Sequence, residues 1–587
     1  MKAASLFVVL ALAKAVALWG HTIPPSWWSP IAYLWQDAAI ALAFAVAEPI
    51  LSSRPRLLWT LYGVLTLYAA MTVPVVRVLS SPLTWAMWRA ARGPLADSIW
   101  FYATPASIAA VLLLVAAAGI VPLLAHRIPN RFVVGPLTAC VALGPAAAAR
   151  VDTIGLERNA WTALVSTAMP HLSARTPLDW QRTGFAPVAN ENFDAFRGVA
   201  AGRNIILVSL ESTAAQYLGL YGAQPDVMPN LTRLAASGIV FDRAYAAYPE
   251  SIKGLYSVLC SAYPAFDVAV ASYEAAPCRS LPAALFERGY ATALFHSGRF
   301  MYLGMETVIR HRGYDTLADA GDIGGNRNSS FGVDEPSTVR RMLQWIDARD
   351  SGRPFFLTYL PIAGHHPYES SAAGPFDEHD EFGRYRNALR DGDAALGTLM
   401  QGLRQRGLAE RTVWIVFGDH GEAFGQHEGN YGHTFNLYEE NVHVPMLIAA
   451  PGLLSQPLAP SPQPKSGSVL HSNRVVSLVD IAPTVLDLAG LAVPPTYQGQ
   501  SMLGPGARMA FFFADYSRGL LGLRDGSLKV IYAIDSGRSS LFDLDADPLE
   551  RTNVADRYPD RVAWYVQNLK GWSAAQKQRL VRAKPPA

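Results

Sequence analysis

Four apolar runs in this chain end abruptly in polar, reactive residues. Asn204-Ile-Ile-Leu-Val-Ser-Leu210 is followed at once by Glu211, and Val413–Phe417 runs into Gly418-Asp419-His420-Gly421-Glu422. Phe355–Leu360 leads to His365 and His366, and Ala291–Phe295 leads to His296 and Arg299. Singly, each has an ordinary explanation: an acid after a strand caps a helix, and a lone histidine is a satisfied polar group. Together, the carboxylates of Glu211 and Asp419, the imidazole of His420 and one hydroxyl would give a divalent cation a hard, near-tetrahedral O/N site of the kind that suits zinc or manganese. The hydroxyl candidate is Ser251. It lies between Pro249 and a helical pattern that puts Leu255, Val258 and Leu259 on one face. Ser251 would cap that helix or stand at its N-terminus, where backbone N–H groups stabilise the anion of a phosphoryl or sulfuryl group. Those two roles are compatible.

The elements that must position these residues follow from the pattern around them. After residue 202, short apolar strands alternate with helical patterns, which predicts an α/β domain built on a mostly parallel, helix-covered sheet over residues 203–587. In such folds ligands bind beyond the carboxyl ends of the strands, so residues far apart in sequence would converge there. Residues 151–202 read as a linker.

Residues 1–150 have a different character. Only 16% of the 587 residues are charged, against roughly 25% in soluble domains. Five apolar stretches, Ala3–Trp19, Ile31–Leu51, Leu57–Leu79, Ser107–Ala125 and Phe132–Ala149, each approach the ~20 residues that cross a hydrocarbon core. The connections Ser52-Ser-Arg-Pro-Arg56 and His126-Arg-Ile-Pro-Asn-Arg131 carry arginines, which the positive-inside rule places in the cytoplasm. Five crossings then deliver the rest of the chain to the far side. A cleaved signal peptide is the competing reading of the first stretch, although Lys14 interrupts its apolar run. Lys14 and Asp37 read as isolated charges that snorkel to the interface. Trp27, Trp28, Trp35, Trp85, Trp88 and Trp100 read as an interfacial belt, with Ser80 to Pro105 along the surface. A net charge of +2 supplies no basic face for nucleic acid. Of three cysteines, Cys140 is apolar packing, whereas Cys260 and Cys278 are either free or bridged in an oxidising compartment.

With these residues in place, the stretch from about Asn204 to Val554 resembles the sulfatase-type branch of the alkaline phosphatase superfamily. Ser251 stands 13 positions before Pro264 of a Tyr-Pro pair, the interval that follows the family's nucleophile. Asp419-His420-Gly421-Glu422 resembles its late metal motif, Val476–Thr484 a structural segment, and Leu541–Glu550 its C-terminal Tyr-Asp-Leu-x-x-Asp-Pro-x-Glu segment. Two departures separate branches. Ser251 is followed by Ile252-Lys253-Gly254-Leu255, without the Pro and Arg that accompany formylglycine formation in sulfatases. Glu211-Ser212 replaces their paired aspartates and resembles the Glu-Ser of lipoteichoic-acid synthases and related phosphoglycerol or phosphoethanolamine transferases. Those enzymes place several helices, commonly five, before an extracytoplasmic catalytic domain.

The resemblance implies that Glu211, Ser251, Asp419 and His420 hold one divalent ion (zinc, manganese or magnesium), with Ser251 the nucleophile where these transferases usually have threonine. His365, in His365-His366-Pro367, would contact the substrate phosphate, with Arg299 and His433 as further substrate contacts. Ser212 and Thr213 are alternative hydroxyls, while His366, His427 and His443 read as surface or packing residues. A membrane phospholipid donor and a glycan or lipid acceptor are implied, as is a multi-pass place in the bacterial inner membrane with a periplasmic or extracellular catalytic domain. The competing readings are a sulfuric-ester hydrolase using Ser251 directly or as formylglycine, and a non-catalytic sensor or assembly protein. A transporter finds no support, because five spans without a repeat or a broken-helix pair offer no path.

Overall fold

The structure is a computed structural model that describes residues 2–90, 103–125, 131–169, 180, 185, 191–325, 331–371, 373–451 and 469–582. Among the described residues the C-terminal part has fourteen strands: β1 (Asn204–Leu210), β2 (Gly238–Tyr245), β3 (Ala291–His296), β4 (Thr316–Ala318), β5 (Phe355–Leu360), β6 (Thr412–Gly418), β7 (Ala423–Phe424), β8 (Tyr431–Gly432), β9 (Met446–Ala449), β10 (Leu470–Ser477), β11 (Met509–Ala514), β12 (Leu520–Asp525), β13 (Leu528–Ala533) and β14 (Ser539–Asp543). Eight of them form one sheet in the order β10-β2-β9-β6-β1-β5-β3-β4, in which β9 alone runs antiparallel to its neighbours.

Strands β1, β5 and β6 are buried along their whole length, as continuous apolar runs in a doubly covered sheet should be. The period of two divides β1 between two layers. Ile206, Val208 and Leu210 join a cluster with Leu396, Leu399 and Leu403 of helix Glu381–Gln405, whereas Ile205 and Leu207 join Ile481, Val485 and Leu486 of helix Ile481–Leu488. The helix carrying Ser251 runs Ser251–Cys260 and is buried from Ile252 onward, on every face rather than on the one stripe its spacing suggests. A second, antiparallel sheet, β11-β12-β13-β14, packs against the C-terminal helix through Phe511, Phe513, Tyr565, Leu569 and Trp572. It was not evident from the sequence pattern.

In the N-terminal part the described helices are α1 (Lys2–Ala17), α2 (Ser29–Ile50), α3 (Pro55–Leu79), α4 (Trp85–Ala90), α5 (Pro105–Ala125), α6 (Arg131–Arg150) and α7 (Ala160–Ala168). Four of these, α2, α3, α5 and α6, are long and apolar enough to cross a membrane. Helix α1 has 16 residues, about 24 Å at 1.5 Å per residue. The connections facing the C-terminal part alternate along the chain. His21 Nδ1 meets Glu428 Oε1 at 3.0 Å after α1, Ser81 Oγ meets Ser517 Oγ at 2.6 Å after α3, and Arg538 Nη2 donates to Ala149 O at 2.8 Å at the end of α6. Helix α2 therefore runs away from the C-terminal part and α3 returns to it, leaving Arg54 and Arg56 at the opposite end. The second arginine-bearing connection, 126–130, lies outside the described residues, as do 91–102 with Trp100.

Two expectations are corrected. Lys14 and Asp37 do not reach separately for an interface. They are buried together, with Lys14 Nζ 3.4 Å from Asp37 Oδ2 and donating to the carbonyls of Leu156, Glu157 and Arg158, because a cation and an anion that cannot reach water are stabilised only by each other and by polar partners. Trp35 is packed against Gly144 of α6, not set in a belt. Trp27 is 98% exposed, and Trp85 and Trp88 are partly so.

Candidate active site

The sheet order explains the site. Strands β6, β1, β5 and β3 are successive neighbours, so the residues that follow them, Asp419, Glu211, His365 and Arg299, emerge along one edge. Strand β2, parallel to β6, leads at that same edge into the helix that begins with Ser251.

Ser251 is the first residue of its helix, and its hydroxyl does not cap it. Glu250 does so, accepting from the N–H groups of Ile252 (3.1 Å) and Lys253 (3.3 Å). This corrects the reading of Ser251 as the cap, while its place at the helix N-terminus stands. Freed from capping, Ser251 Oγ donates to Glu211 Oε2 at 2.9 Å and lies 3.3 Å from His420 Nε2. His420 Nε2 is in turn 3.6 Å from Glu211 Oε1 and 3.5 Å from Asp419 Oδ2. The second oxygen of Asp419 accepts from the N–H groups of Ser212 (3.0 Å) and His420 (2.7 Å) and is thereby fixed. His420 Nδ1 donates to Gly421 O at 3.0 Å, which leaves Nε2 bare at neutral charge because a carbonyl can only accept.

Two carboxylates and a bare imidazole nitrogen thus share one buried space in which neutral donors, among them the hydroxyls of Ser251 and Ser212, meet them. Burial, and next the charge of Asp419, push the Glu211 carboxyl well above its ordinary range, and burial pushes His420 down. Such a cluster is short of positive charge, and its donor set fits a divalent cation. The alternative hydroxyls are placed otherwise: Ser212 Oγ donates to Glu211 Oε1 at 3.2 Å and Thr213 Oγ1 to Glu211 O at 2.9 Å, both fully buried. Ser212 also has φ 51, a left-handed conformation uncommon for serine, held by its N–H to Asp419 and by Tyr385, whose hydroxyl donates to Ser212 O at 2.7 Å.

A second group adjoins the first. The His433 ring lies 4.2 Å from the His420 ring, and its Nδ1 meets Glu422 Oε2 at 2.7 Å while Tyr368 donates to Glu422 Oε1 at 2.8 Å. Burial acts to neutralise both partners, but their mutual attraction outweighs it, holding Glu422 below its ordinary range and His433 above. His365 is brought near by Gly364, where a Cβ would lie 2.0 Å from Glu211 O. Burial drives its imidazole down to about 4, and Nδ1 donates to His366 O at 2.6 Å, so its Nε2 too is bare. Arg299, half-buried, lies beside the helix Ala320–Ile323. The structure gathers Glu211, Ser251, Asp419 and His433 around His420, with His365 within electrostatic reach of His433.

Residues 203–491 match the family described as Sulfatase. They are a sulfatase-family domain. Among curated relatives, the arylsulfatase K of Mus musculus is 32% identical over 254 residues, 38% of this chain and 43% of that protein. The lipoteichoic acid synthase-like YvgJ of Bacillus subtilis is 24% identical over 331 residues, 54% of this chain and 52% of that protein. The chain spans about two fifths of the length of the arylsulfatase relatives it matches. A solved structure of a protein in the alkaline phosphatase superfamily from Vibrio parahaemolyticus superposes with a TM-score of 0.52 over 71% of this chain and 94% of its own, at 20% identity. This part of the chain has the alkaline phosphatase/sulfatase fold.

The cluster also contains residues that the sequence pattern does not single out. Glu422 was visible only as the end of a motif, and Glu250 only as a neighbour of Ser251. Of the histidines read as packing, His427 stacks on Tyr438 at 3.7 Å and pairs with Glu440 at 2.7 Å, and His443 accompanies Glu439 at 3.3 Å. His366 lines a cavity of about 80 Å³ together with His365. Cys260, the last residue of the serine helix, is bridged to Cys278, 18 positions on. Closing a loop of that size is worth about 3 kcal/mol. Thermal unfolding of a Cys278→Ser protein, or of the wild type after reduction, is therefore expected at a lower temperature; an unchanged midpoint would remove the bridge from the stability of this domain.

Proposed function

We propose that the protein is a membrane-anchored, metal-dependent phosphotransferase that moves a phosphoglycerol- or phosphoethanolamine-type group from a membrane phospholipid to a glycan or lipid hydroxyl, with Ser251 as nucleophile. The observation that carries this reading is the convergence of Ser251 Oγ, Glu211, Asp419 and His420 Nε2 at the sheet edge. A divalent cation held by these four would lower the pKa of the serine hydroxyl and draw electron density from phosphorus. Ser251 Oγ, its proton released to solvent, would bond to phosphorus as the bond to the diacylglycerol oxygen breaks, leaving the headgroup phosphate on the serine as a phosphodiester. The His433 imidazolium, kept charged by Glu422, is placed to give the leaving alkoxide its proton. His433, neutral once it has given up that proton, would take the proton of the attacking acceptor hydroxyl or of water as the serine–phosphorus bond breaks and Ser251 is regenerated, while His365, with Nε2 bare, would contact the transferring group. Arg299 is assigned to the substrate's charge.

Phosphoryl transfer is favoured over sulfate hydrolysis by Ile252-Lys253-Gly254-Leu255 after the serine, by Glu211-Ser212, by the N-terminal helices, and by similarity to the lipoteichoic acid synthase-like protein over more than half of this chain. The similarity to arylsulfatase K supports the second reading, a sulfuric-ester hydrolase. Incubation of the full chain with membrane lipid, followed by intact-mass measurement, distinguishes them: the transferase reading expects an adduct with the mass of a phosphorylated headgroup, whereas an aldehyde at position 251 and turnover of sulfate esters alone would transfer the protein to the sulfatase reading.

We further propose that residues 1–150 cross the bacterial inner membrane, α1 included, that 151–202 connect the two parts, and that 203–587 lie outside the cytoplasm. The alternating connections, the arginines opposite the catalytic part and the disulfide, which requires an oxidising compartment, support it. A phosphatase reporter that works only outside the cytoplasm, fused after Gly202, is expected to be active. Activity of a cytoplasm-only reporter at that junction would overturn the topology.

A further inference from the structure

The turn between β11 and β12, residues Asp515 to Arg518, touches three parts of the molecule at once. Asp515 receives both the Lys253 ammonium (3.0 and 3.2 Å) and the Tyr248 hydroxyl (2.6 Å), and its second oxygen accepts from Asp267 N at 2.8 Å. Lys253 is two residues from Ser251 and lies over the Tyr248 ring at 4.5 Å. Its side chain and that of Asp515 are only 7% and 8% exposed, so the pair fixes the start of the serine helix in one place.

The next two residues dock on the N-terminal part. Thr84 Oγ1 donates to Tyr516 O at 2.6 Å. Ser517 meets Ser81 at 2.6 Å and accepts from Arg158 twice, Nη1 to its carbonyl at 2.8 Å and Nη2 to its hydroxyl at 2.6 Å. Arg158, Ser81, Ser517 and Thr84 are all buried. Arg158 is tied down in turn, since its carbonyl accepts from Lys14, the buried partner of Asp37. Arg518, finally, donates to Asn436 Oδ1 at 2.5 Å, three residues beyond His433, and packs on Gly155, where φ is +89° and a Cβ would lie 2.6 Å from Arg518 Cδ.

We propose that this turn registers the serine helix and the His433 loop against the membrane unit, and that Arg158, Ser517 and Asp515 are positioning residues for the reaction. Buried polar contacts link Asp37 and Lys14 through Arg158 to Ser517, and Asp515 to Lys253, and the backbone of the turn joins Ser517 to Asp515. Displacing its middle shifts Ser251 without touching any residue of the site. The proposal rests on the reading of Ser251 as nucleophile.

The test uses the full chain in detergent with a soluble nitrophenyl phosphodiester or sulfate ester, whichever the wild type turns over. Arg158→Met is expected to lower kcat about tenfold or more with KM within about twofold, because a misplaced nucleophile slows chemistry without weakening binding. Arg158→Lys, which keeps the charge and one contact, is expected to recover part of the loss. Ser517→Ala is the milder variant should Arg158→Met fold poorly, with an expected loss of about threefold. Hydrogen exchange gives a readout independent of turnover: the amides of Ser251–Cys260 are expected to exchange faster in these variants while those of β1 and β6 do not change. Wild-type kcat and unchanged exchange in the serine helix, with only a lower melting temperature, would reduce the turn to a structural buttress and overturn the proposal. Normal turnover in a Ser251→Ala control would remove the nucleophile reading, whereas faster exchange of the serine helix would still uphold the registration.

Discussion

Ser251→Ala is expected to abolish turnover and any covalent adduct, lowering kcat on the order of 10³- to 10⁶-fold, while leaving the fold intact. The large effect follows from geometry, because Ser251 Oγ alone among the three candidate hydroxyls is neither fully buried nor committed to a backbone carbonyl or to a cap. The small structural effect follows from the same facts. Glu250 keeps capping the helix, and the variant leaves Glu211 with its bond from Ser212, so stability should change by no more than about 1 kcal/mol. Ser251→Thr keeps a hydroxyl at the same reach and is expected to retain activity. Peptide mass spectrometry of the adduct decides the matter: a phosphoryl group on Ser212 or Thr213, or normal turnover in Ser251→Ala, ends the assignment.

Removal of the negative charge of Asp419 is the second change with a large expected effect. Asp419→Asn is the informative variant because it preserves the Oδ1 acceptor that holds the N–H groups of Ser212 and His420, whereas alanine would orphan two buried donors at about 1–3 kcal/mol each. Only the oxygen facing His420 Nε2 then changes character. The variant is expected to fold, to carry no stoichiometric divalent metal by elemental analysis, and to be inactive. Wild-type protein should melt at lower temperature in a chelator, since a cation present at a hundred times its Kd adds about 2.7 kcal/mol to the folded state. The Asn variant should be indifferent to the chelator. Undiminished metal in that variant would mean that the cation is held elsewhere, with His420, Glu422 and His433 the other described set of suitable donors.

The sequence by itself determined the strands that carry the site. Asn204–Leu210 and Phe355–Leu360 are strands to the residue, because continuous apolar runs of that length can be buried only inside a doubly covered sheet. It also placed reactive residues at their ends and an apolar unit before residue 150, since hydropathy and strand punctuation are local properties of the chain. What it could not fix were features created by partners distant along the chain. The second sheet has no clean local signature in β13, which carries Lys529 at full burial, a cation tolerable there only between Glu439 and Glu550, each 2.9 Å away. That charge breaks the apolar pattern of the strand, and its compensation lies 90 positions upstream on one side. Lys14 and Asp37 looked isolated for the same reason, as each is the other's counter-ion only once α1 packs on α2. Which hydroxyl faces the two carboxylates was likewise decided by tertiary structure: Glu250 takes over the cap, and the parallel placement of β2 and β6 carries Ser251 across 168 residues of chain to Asp419, something no local pattern encodes.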